Sequence, residues 1–456
     1  MRVNRWTWAL GLLAAATAAA AQTPPTPAAA PDPAELDQRV RILERRLELA
    51  DEQAAEKAKK VPVAIAGAEG FGVKSADGAF QLRLRGLVQT DARFFFGDDQ
   101  RPLNDTLVVR RARPILDGTL WKIVDFRLMS DLGGGSSTLL DAYLDLKLSS
   151  ALRIRVGKAK VPVGLEALLE DAHLPFVERG LPSLLAPVRD VGVQVTGEPL
   201  GGRLVYAAGL FNGVADGASG DGDNADDKDF AARLFVRPFQ RPAGEAAAPV
   251  SLGFGVAASV GEQSGTVGAP NLPSFRTAGQ QSFFSYRSDG AAAGTVVADG
   301  ERIRIAPQAW LYSGPWLLFA EWTESRQEVR RDAARAELAQ RAWQVVGSWA
   351  ITGEDVSERS VAPRRPFELG AGGGRGALLL SVRYGKLETD PDAFPLFADP
   401  ARSAAAVENL GVSLGWLLNQ GVKLVLDYQN SRFEGGERAG DRETEQALLA
   451  RVQIAF

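Results

Sequence analysis

A chain of 456 residues is long enough for about three ordinary soluble domains, or for one large barrel with a small extension. It has no cysteine and a single histidine, which excludes a disulfide framework and thiolate chemistry and leaves little for a metal site or a Ser–His nucleophile. The formal net charge of −4 points to no partner, and no P-loop, dinucleotide fingerprint or basic nucleic-acid surface is present.

In chain order, Arg2 and Arg5 precede an apolar run from Trp6 to Ala16 that is too short for a spanning helix, and Ala19, Ala20 and Ala21 form a small-residue cleavage site. Residues 1–21 therefore read as a secretory signal peptide. No other stretch approaches the roughly 18 apolar residues of a membrane helix, so an exported chain that meets a membrane meets it as strands. Residues 22–33, rich in Ala, Pro and Thr, read as a linker. Leu36, Val40, Leu43, Leu47 and Ala50 then follow at heptad spacing. Barely two heptads cannot hold alone. The segment either associates with copies of itself or is one solvated amphipathic helix. Residues 54–70 read as a second linker.

From residue 79 onward the pattern alternates with period two. In the first strand Arg83, Arg85, Gln89, Asp91 and Arg93 share one phase, and Phe80, Leu82, Leu84, Val88 and Phe94 fall in the other. An arginine facing lipid at mid-membrane costs about 2–4 kcal/mol, so the apolar phase is assigned to lipid and the arginine phase to a lumen. The fourth strand repeats this, with Leu140, Ala142, Leu144, Leu146 and Leu148 outward and Asp141, Tyr143, Asp145 and Lys147 inward. The fifth puts Arg153 and Arg155 inward. About sixteen strands are predicted, starting near residues 80, 106, 119, 138, 151, 190, 203, 229, 250, 302, 315, 341, 376, 407, 420 and 443. Connections after even strands are mostly tight, as at Gly118-Thr119. Most of those after odd strands are long, as in outer-membrane barrels with short periplasmic turns and long external loops. The segments 353–376 and 238–249 are longer than this rule allows. The last strand alternates and stops on Phe456, a common ending for such barrels. Abundant glycine (48), scarce methionine (2) and a mean hydropathy near zero fit a barrel with one greasy and one wet face. A soluble two-sheet or propeller protein would also show many short strands, but it requires neither the leader nor the loop asymmetry.

The connection from Lys160 to Arg189 is long, of mixed polarity, and carries apolar residues that need burial. Long loops in compact folds are usually functional, and a sixteen-stranded barrel is wide enough for an aqueous channel that an inward loop would narrow. The alternative is an external lid. His173 and Ser183 lie in this loop, but nothing marks Ser183 as a nucleophile, and the chain is not expected to be an enzyme. The stretch Asp221, Asp223, Asp226, Asp227, Asp229 lacks EF-hand spacing and reads as a solvated acidic loop rather than a calcium site. No cofactor is expected.

Several stretches resemble the phosphate-selective porin O and P family. They are Val109-Arg110-Arg111-Ala112-Arg113, Asp141-Ala142-Tyr143, Arg155-Val156-Gly157-Lys158 through Gly164-Leu165-Glu166, Glu178-Arg179, Phe211-Asn212-Gly213, Thr352-Gly353-Glu354 and Arg383-Tyr384. The resemblance covers about residues 80–456 and rests on their order and spacing. It implies an all-β, sixteen-stranded antiparallel transmembrane barrel over 79–456, following a linker and short coiled-coil-like periplasmic segment over 22–78. It further implies a homotrimer in the lipid of the Gram-negative outer membrane, with the third external loop in the lumen, passing small solutes such as inorganic phosphate or polyphosphate. By motif, Arg110 and Arg111 correspond to wall arginines of the anion path and Arg179 to its loop arginine. Arg113, Lys158 and Lys160 are further candidates. Arg offers fixed, permanently charged donors suited to phosphate oxygens. Glu166, Glu170, Asp171, His173 and Glu178 fall in the constriction loop. The family's loop lysines are missing between Glu166 and Glu178, and Glu170 and Asp171 would oppose a dianion. A general or weakly cation-selective pore is therefore the alternative. Arg83, Arg85, Arg93, Arg127, Arg153 and Arg155 read more simply as cross-strand partners of Asp91, Asp125, Asp141 and Asp145. The heptad segment is also a candidate tether to the cell wall.

Overall fold

The computed structural model describes residues 32–58, 61–222, 226–240, 250–370 and 372–456. The signal peptide reading and nearly all of the first linker lie outside these residues. Two units are present, residues 1–60 and 61–456. The first contains the helix α1 (Pro33–Ala58). Its i,i+4 pairs Glu35–Arg39 (2.7 Å) and Asp37–Arg41 (2.9 Å) support the helix. Its seam residues Leu36, Val40, Leu43 and Leu47 are exposed.

The second unit is a closed barrel of sixteen antiparallel strands. In chain order these are β1 (Gln81–Phe96), β2 (Thr106–Leu120), β3 (Val124–Asp131), β4 (Thr138–Lys147), β5 (Arg153–Lys160), β6 (Arg189–Gly197), β7 (Leu204–Phe211) and β8 (Asp229–Val236), then β9 (Val250–Ser264), β10 (Val297–Ser313), β11 (Trp316–Arg331), β12 (Ala334–Ala350), β13 (Ala377–Glu388), β14 (Ala404–Leu417), β15 (Val422–Gly435) and β16 (Glu445–Ala455). Each pairs with its sequence neighbour, and β16 closes on β1 from Gln446↔Phe96 to Ala455↔Leu87. Closure leaves no unpaired edge in the hydrocarbon, where an unsatisfied amide costs several kcal/mol. Phe456 finishes the seam. Its N–H donates to Gly86 O (3.0 Å), the Gly86 N–H donates back (2.8 Å), and a Cβ at Gly86 would lie 2.6 Å from the Phe456 ring.

Lipid and lumen faces separate as the alternation requires. Leu82, Leu84, Val88 and Phe94 are exposed on the outer wall, while Gln89 and Asp91 are buried inside. At the periplasmic rim Trp316 stacks on Trp349 (5.3 Å) and Phe80 meets Trp121 edge-on (5.9 Å), an interfacial aromatic girdle.

Four local expectations need correction. Gly118 and Thr119 lie within β2, and the turn falls at 121–123, where Trp121 and Lys122 adopt positive φ. Leu140 points inward and is buried while Leu139 is exposed. The register slips between Met129 and Ser130, and the bulge reverses the phase. Residues 54–70 are not a linker throughout. The helix runs to Ala58, and a hairpin (Val63–Gly67, Gly70–Lys74) adds to β1 at Gln81–Leu84, below the point where β16 ends. Finally, β12 starts at Ala334 rather than near 341, so the external turn between β11 and β12 is only residues 332–333. The periplasmic segment after β12 carries a small hairpin (Val356–Ser357, Ser360–Val361) whose Val356 and Val361 are buried against Leu379 and Leu417.

The outward phase of β4 supplies a test. Leu144→Arg should cost about 2–4 kcal/mol of barrel stability, read as a shifted urea midpoint for folding into lipid vesicles. A shift below about 0.5 kcal/mol would show that Leu144 does not face lipid.

Candidate functional site: the inward loop and the arginine-lined chamber

The loop over 161–188 is folded into the barrel rather than across its mouth. Its apolar residues are pinned to three parts of the interior. Leu165 and Phe176 pack with Phe235, Trp310, Phe319 and Val346. Val177 packs with Phe95, Val425 and Leu449. Leu181 and Leu185 join Phe275, Phe283, Phe284 and Phe397 of other external loops. Each such burial contributes roughly 1.5–3 kcal/mol, so the loop is a fixed partition. Backbone groups add to this. The Val177 N–H donates to Asp427 (2.9 Å), the Leu165 N–H to Glu321 (2.7 Å), and Lys423 Nζ to Ala172 O (3.0 Å) and Leu174 O (2.9 Å).

Two loop carboxylates dock into wall arginines. Glu178 accepts from Arg110 Nε (2.6 Å) and Nη2 (3.2 Å) and from Arg111 (3.4 Å), with Arg93 and Arg451 each at 3.7 Å. Asp171 is paired with Arg179 (2.5 Å), Arg111 (3.2 Å) and Arg113. In a regular strand Arg110 and Arg111 would face opposite sides. Gln89 pairs with Arg111 and Thr90 with Val109, so Arg110 is the extra residue of a bulge and both guanidinia enter the lumen. Burial alone would raise the Glu178 carboxyl. Arg111, Arg110 and Arg451 instead hold it well below the usual carboxylate range, and Arg111, Arg179 and Arg113 do the same for Asp171.

The other predicted residues are placed as follows. Lys158 Nζ donates to Leu139 O (2.7 Å) and pairs with Asp221. Lys160 Nζ donates to Leu168 O (3.0 Å) and Leu169 O (2.6 Å). Glu166 accepts from the Gly180 N–H (2.7 Å) and Gln344 Nε2 (2.9 Å). Arg179 also donates to Glu166 O and Leu169 O, folding the loop on itself. Arg110, Arg111, Arg179, Lys158 and Lys160 were expected to line the anion path. Arg110, Arg111, Arg179 and Lys160 are instead engaged by loop carboxylates and carbonyls, and Lys158 by Leu139 O and Asp221. Arg113 also lines the chamber described next.

Below the loop lies a periplasmic chamber of about 720 Å³. Its wall carries Arg83, Arg85, Arg113, Arg127, Lys147, Arg153, Arg155 and Arg359 against Glu69, Asp117, Asp125, Asp145 and Glu170. Arg155 pairs with Asp145 (2.7 Å), Arg153 with Asp125 (2.9 Å), and Arg85 with Asp117. The expected cross-strand pairing is therefore present at Asp125 and Asp145. What was not anticipated is that these same arginines border open volume. Their spacing at i,i+2 in β1 and β5 was the available signal. Arg127 faces Glu170 at 3.5 Å. Burial would raise the Glu170 carboxyl, but Lys160 and Arg127 hold it below its usual value, so it is ionised at neutral pH. His173 also lines the chamber, and burial pushes its imidazole below the ordinary value, so it is neutral there.

A closed sixteen-stranded barrel with an inward loop over a charged chamber is an outer-membrane porin. The chain belongs to the phosphate-selective porin O and P family, whose pattern matches residues 80–456, and its place is the Gram-negative outer membrane. Among solved structures it is similar to the anion-selective porin from Comamonas acidovorans (13% identity, 83% of this chain and 100% of that chain, TM-score 0.52). It is also similar to the outer membrane channel DcaP of Acinetobacter baumannii (14% identity, 85% and 99%, TM-score 0.51). At these identities the likeness shows the shared barrel. No curated protein matches the chain.

Removing the hub charge should release the loop. Glu178→Gln leaves buried arginines uncompensated, a change that costs about 3–5 kcal/mol where one partner of a buried pair is removed. The expected readouts are larger single-channel conductance and protease cleavage within 161–188. Because both loop carboxyls are depressed, their contribution is complete above the ordinary carboxylate value of about 4 and is lost only as pH falls through the lower folded values. Conductance should therefore show no loop-opening step between about pH 8 and about pH 5, and a step in that window would contradict the docking.

Proposed function

We propose that this porin passes small inorganic anions, phosphate or polyphosphate among them, and does so as a homotrimer. The observation that supports anion passage is the charge of the chamber, where eight cationic side chains oppose five carboxylates. Rings of Arg and Lys are how pores favour anions. Of the loop carboxylates, Asp171 and Glu178 are enclosed by arginines. Arg127 and Arg155 are the proposed anion contacts, while Arg113 borders the chamber but is already held by Asp131 and Asp171. Arg110, Arg111 and Arg179 act by holding the loop in place, with Lys160 as a further support, while Lys158 is held by Leu139 O and Asp221. That the Comamonas porin is anion-selective agrees with this reading.

A weakly selective pore is the second reading. Asp117, Asp125 and Asp145 alternate with the chamber arginines, and Glu170 is exposed to the same volume. The zero-current potential of the purified protein in a planar bilayer under a KCl gradient separates the two. The wild type should favour chloride, and millimolar phosphate should reduce the chloride current. The pair Arg127→Glu and Arg155→Glu should bring the anion-to-cation permeability ratio to about one or below. An unchanged reversal potential in that variant would remove the chamber from the selectivity path.

The exposed seam of α1 is the proposed self-association element, and its attachment to the cell wall remains the other use of the same helix. Deleting residues 33–58 should lower the temperature at which trimers dissociate on a detergent gel while leaving single-channel conductance unchanged. An identical dissociation temperature would assign the helix elsewhere.

A further inference from the structure

A second, smaller cavity of about 210 Å³ lies on the far side of the inward loop. It sits at the periplasmic ends of β7, β8, β10 and β11, roofed by Leu165, Leu168 and Leu169. Its walls are unlike those of the chamber. Phe235 and Trp310 stack at 5.9 Å, and Tyr312 meets Trp310 edge-on at 4.8 Å. Two cations, Arg233 and Arg237, line this recess, and Arg233 is the one set against its aromatic wall. The Arg233 guanidinium lies 4.4 Å over the Phe235 ring, and its Nε and Nη2 donate to the Gln308 side-chain oxygen at 3.2 and 3.0 Å. Among the described residues no carboxylate comes within ion-pair distance of Arg233, whereas the neighbouring Arg237 is matched by Glu198 at 2.8 Å.

We propose that this cavity binds a small amphipathic monocarboxylate, a single aromatic ring bearing one carboxylate. The partly buried Arg233 guanidinium is bonded only to a neutral amide and a ring face, and Glu358 and Glu321 act on it from beyond ion-pair distance, so no direct ion pair compensates its desolvation. A carboxylate supplies charge-assisted bonds that a carboxamide does not. The rings and leucines supply an offset-stacking and apolar surface for the body of the ligand. The volume is below the roughly 300–1,000 Å³ of sites for drug-sized molecules, which suits one ring. Phosphate does not fit this chemistry. It is hydrated on all sides, most of this wall offers it no donors, and Glu198 and Glu358 at the rim oppose a dianion. The site goes beyond the anion passage proposed above and uses none of the chamber arginines except through the shared loop.

The test is calorimetric titration of the full-length protein in detergent, with sodium benzoate as the probe, sodium acetate as the charge-only control and benzyl alcohol as the ring-only control, each against protein-free micelles. Benzoate is expected to bind, with acetate and benzyl alcohol at least tenfold weaker. Arg233→Gln should weaken benzoate at least tenfold, and Arg233→Lys should recover part of the loss. Equal affinities for benzoate and acetate, or an unchanged benzoate affinity in Arg233→Gln, would overturn the proposal. If Arg233→Gln does not fold, Trp310→Leu is read the same way, and unchanged benzoate binding there is equally fatal. Benzoate binding by a wild-type protein with no anion preference in the bilayer would leave this site standing and remove only the permeation reading.

Discussion

The structure depends on how the loop over 161–188 is held within the barrel, and the two kinds of contact that hold it do different work. Apolar anchors such as Phe176, Val177 and Leu185 provide most of the free energy, since each contributes roughly 1.5–3 kcal/mol by leaving water. The ion pairs around Glu178 and Asp171 contribute less than their number implies, because desolvation offsets much of the attraction in a buried pair. What they provide is position. A hydrophobic patch tolerates a slide of one residue, whereas a carboxylate bonded 2.6 Å from Arg110 Nε does not. The loop's height in the barrel is thus fixed by charge and its attachment by burial.

That arrangement needs a defect in the wall. Six arginines (Arg93, Arg110, Arg111, Arg113, Arg179 and Arg451) surround Asp91, Asp131, Asp171 and Glu178. A strand of strict period two cannot present Arg110, Arg111 and Arg113 to the same side. The bulge opposite Gln89 and Thr90 makes it possible, as the bulge in β4 does for Leu140 and Asp141. Bulges cluster where side chains must be re-aimed, and both of these lie in strands that line the functional half of the lumen.

Legibility followed the same physics. The lipid penalty on charge acts at every strand residue independently, so the alternation of Leu82, Arg83, Leu84 and Arg85 is written locally, and the strand count and faces could be read from it. Bulges were not legible, because a one-residue insertion in Val109-Arg110-Arg111 looks like any run of polar residues until its partner strand is known. Nor were the partners of the arginines. Arg451 meets Asp91 and Glu178, and Arg383 meets Glu178 O, across separations of hundreds of residues that no local pattern encodes. The hairpin over 63–74 was hidden for another reason: five-residue strands rich in Gly and Ala carry no clear period.

Guanidinium groups in this lumen are therefore sorted by what reaches them. Where a loop carboxylate or carbonyl arrives, as at Arg111 and Arg179, the arginine becomes architecture. At Arg155 the partner is a wall carboxylate, and at Arg127 it is a loop carboxylate, Glu170, that itself borders the open volume, so these charges remain available to a passing ion. It follows that the loop's own composition is a poor guide to selectivity. The Gly164-Leu165-Glu166 and Glu178-Arg179 segments fold the loop and dock it, with Glu166 accepting from the Gly180 N–H and Arg179 closing on Leu169 O. A loop without lysine can do that work unchanged, because the cations that border the open volume are carried by the wall beneath it.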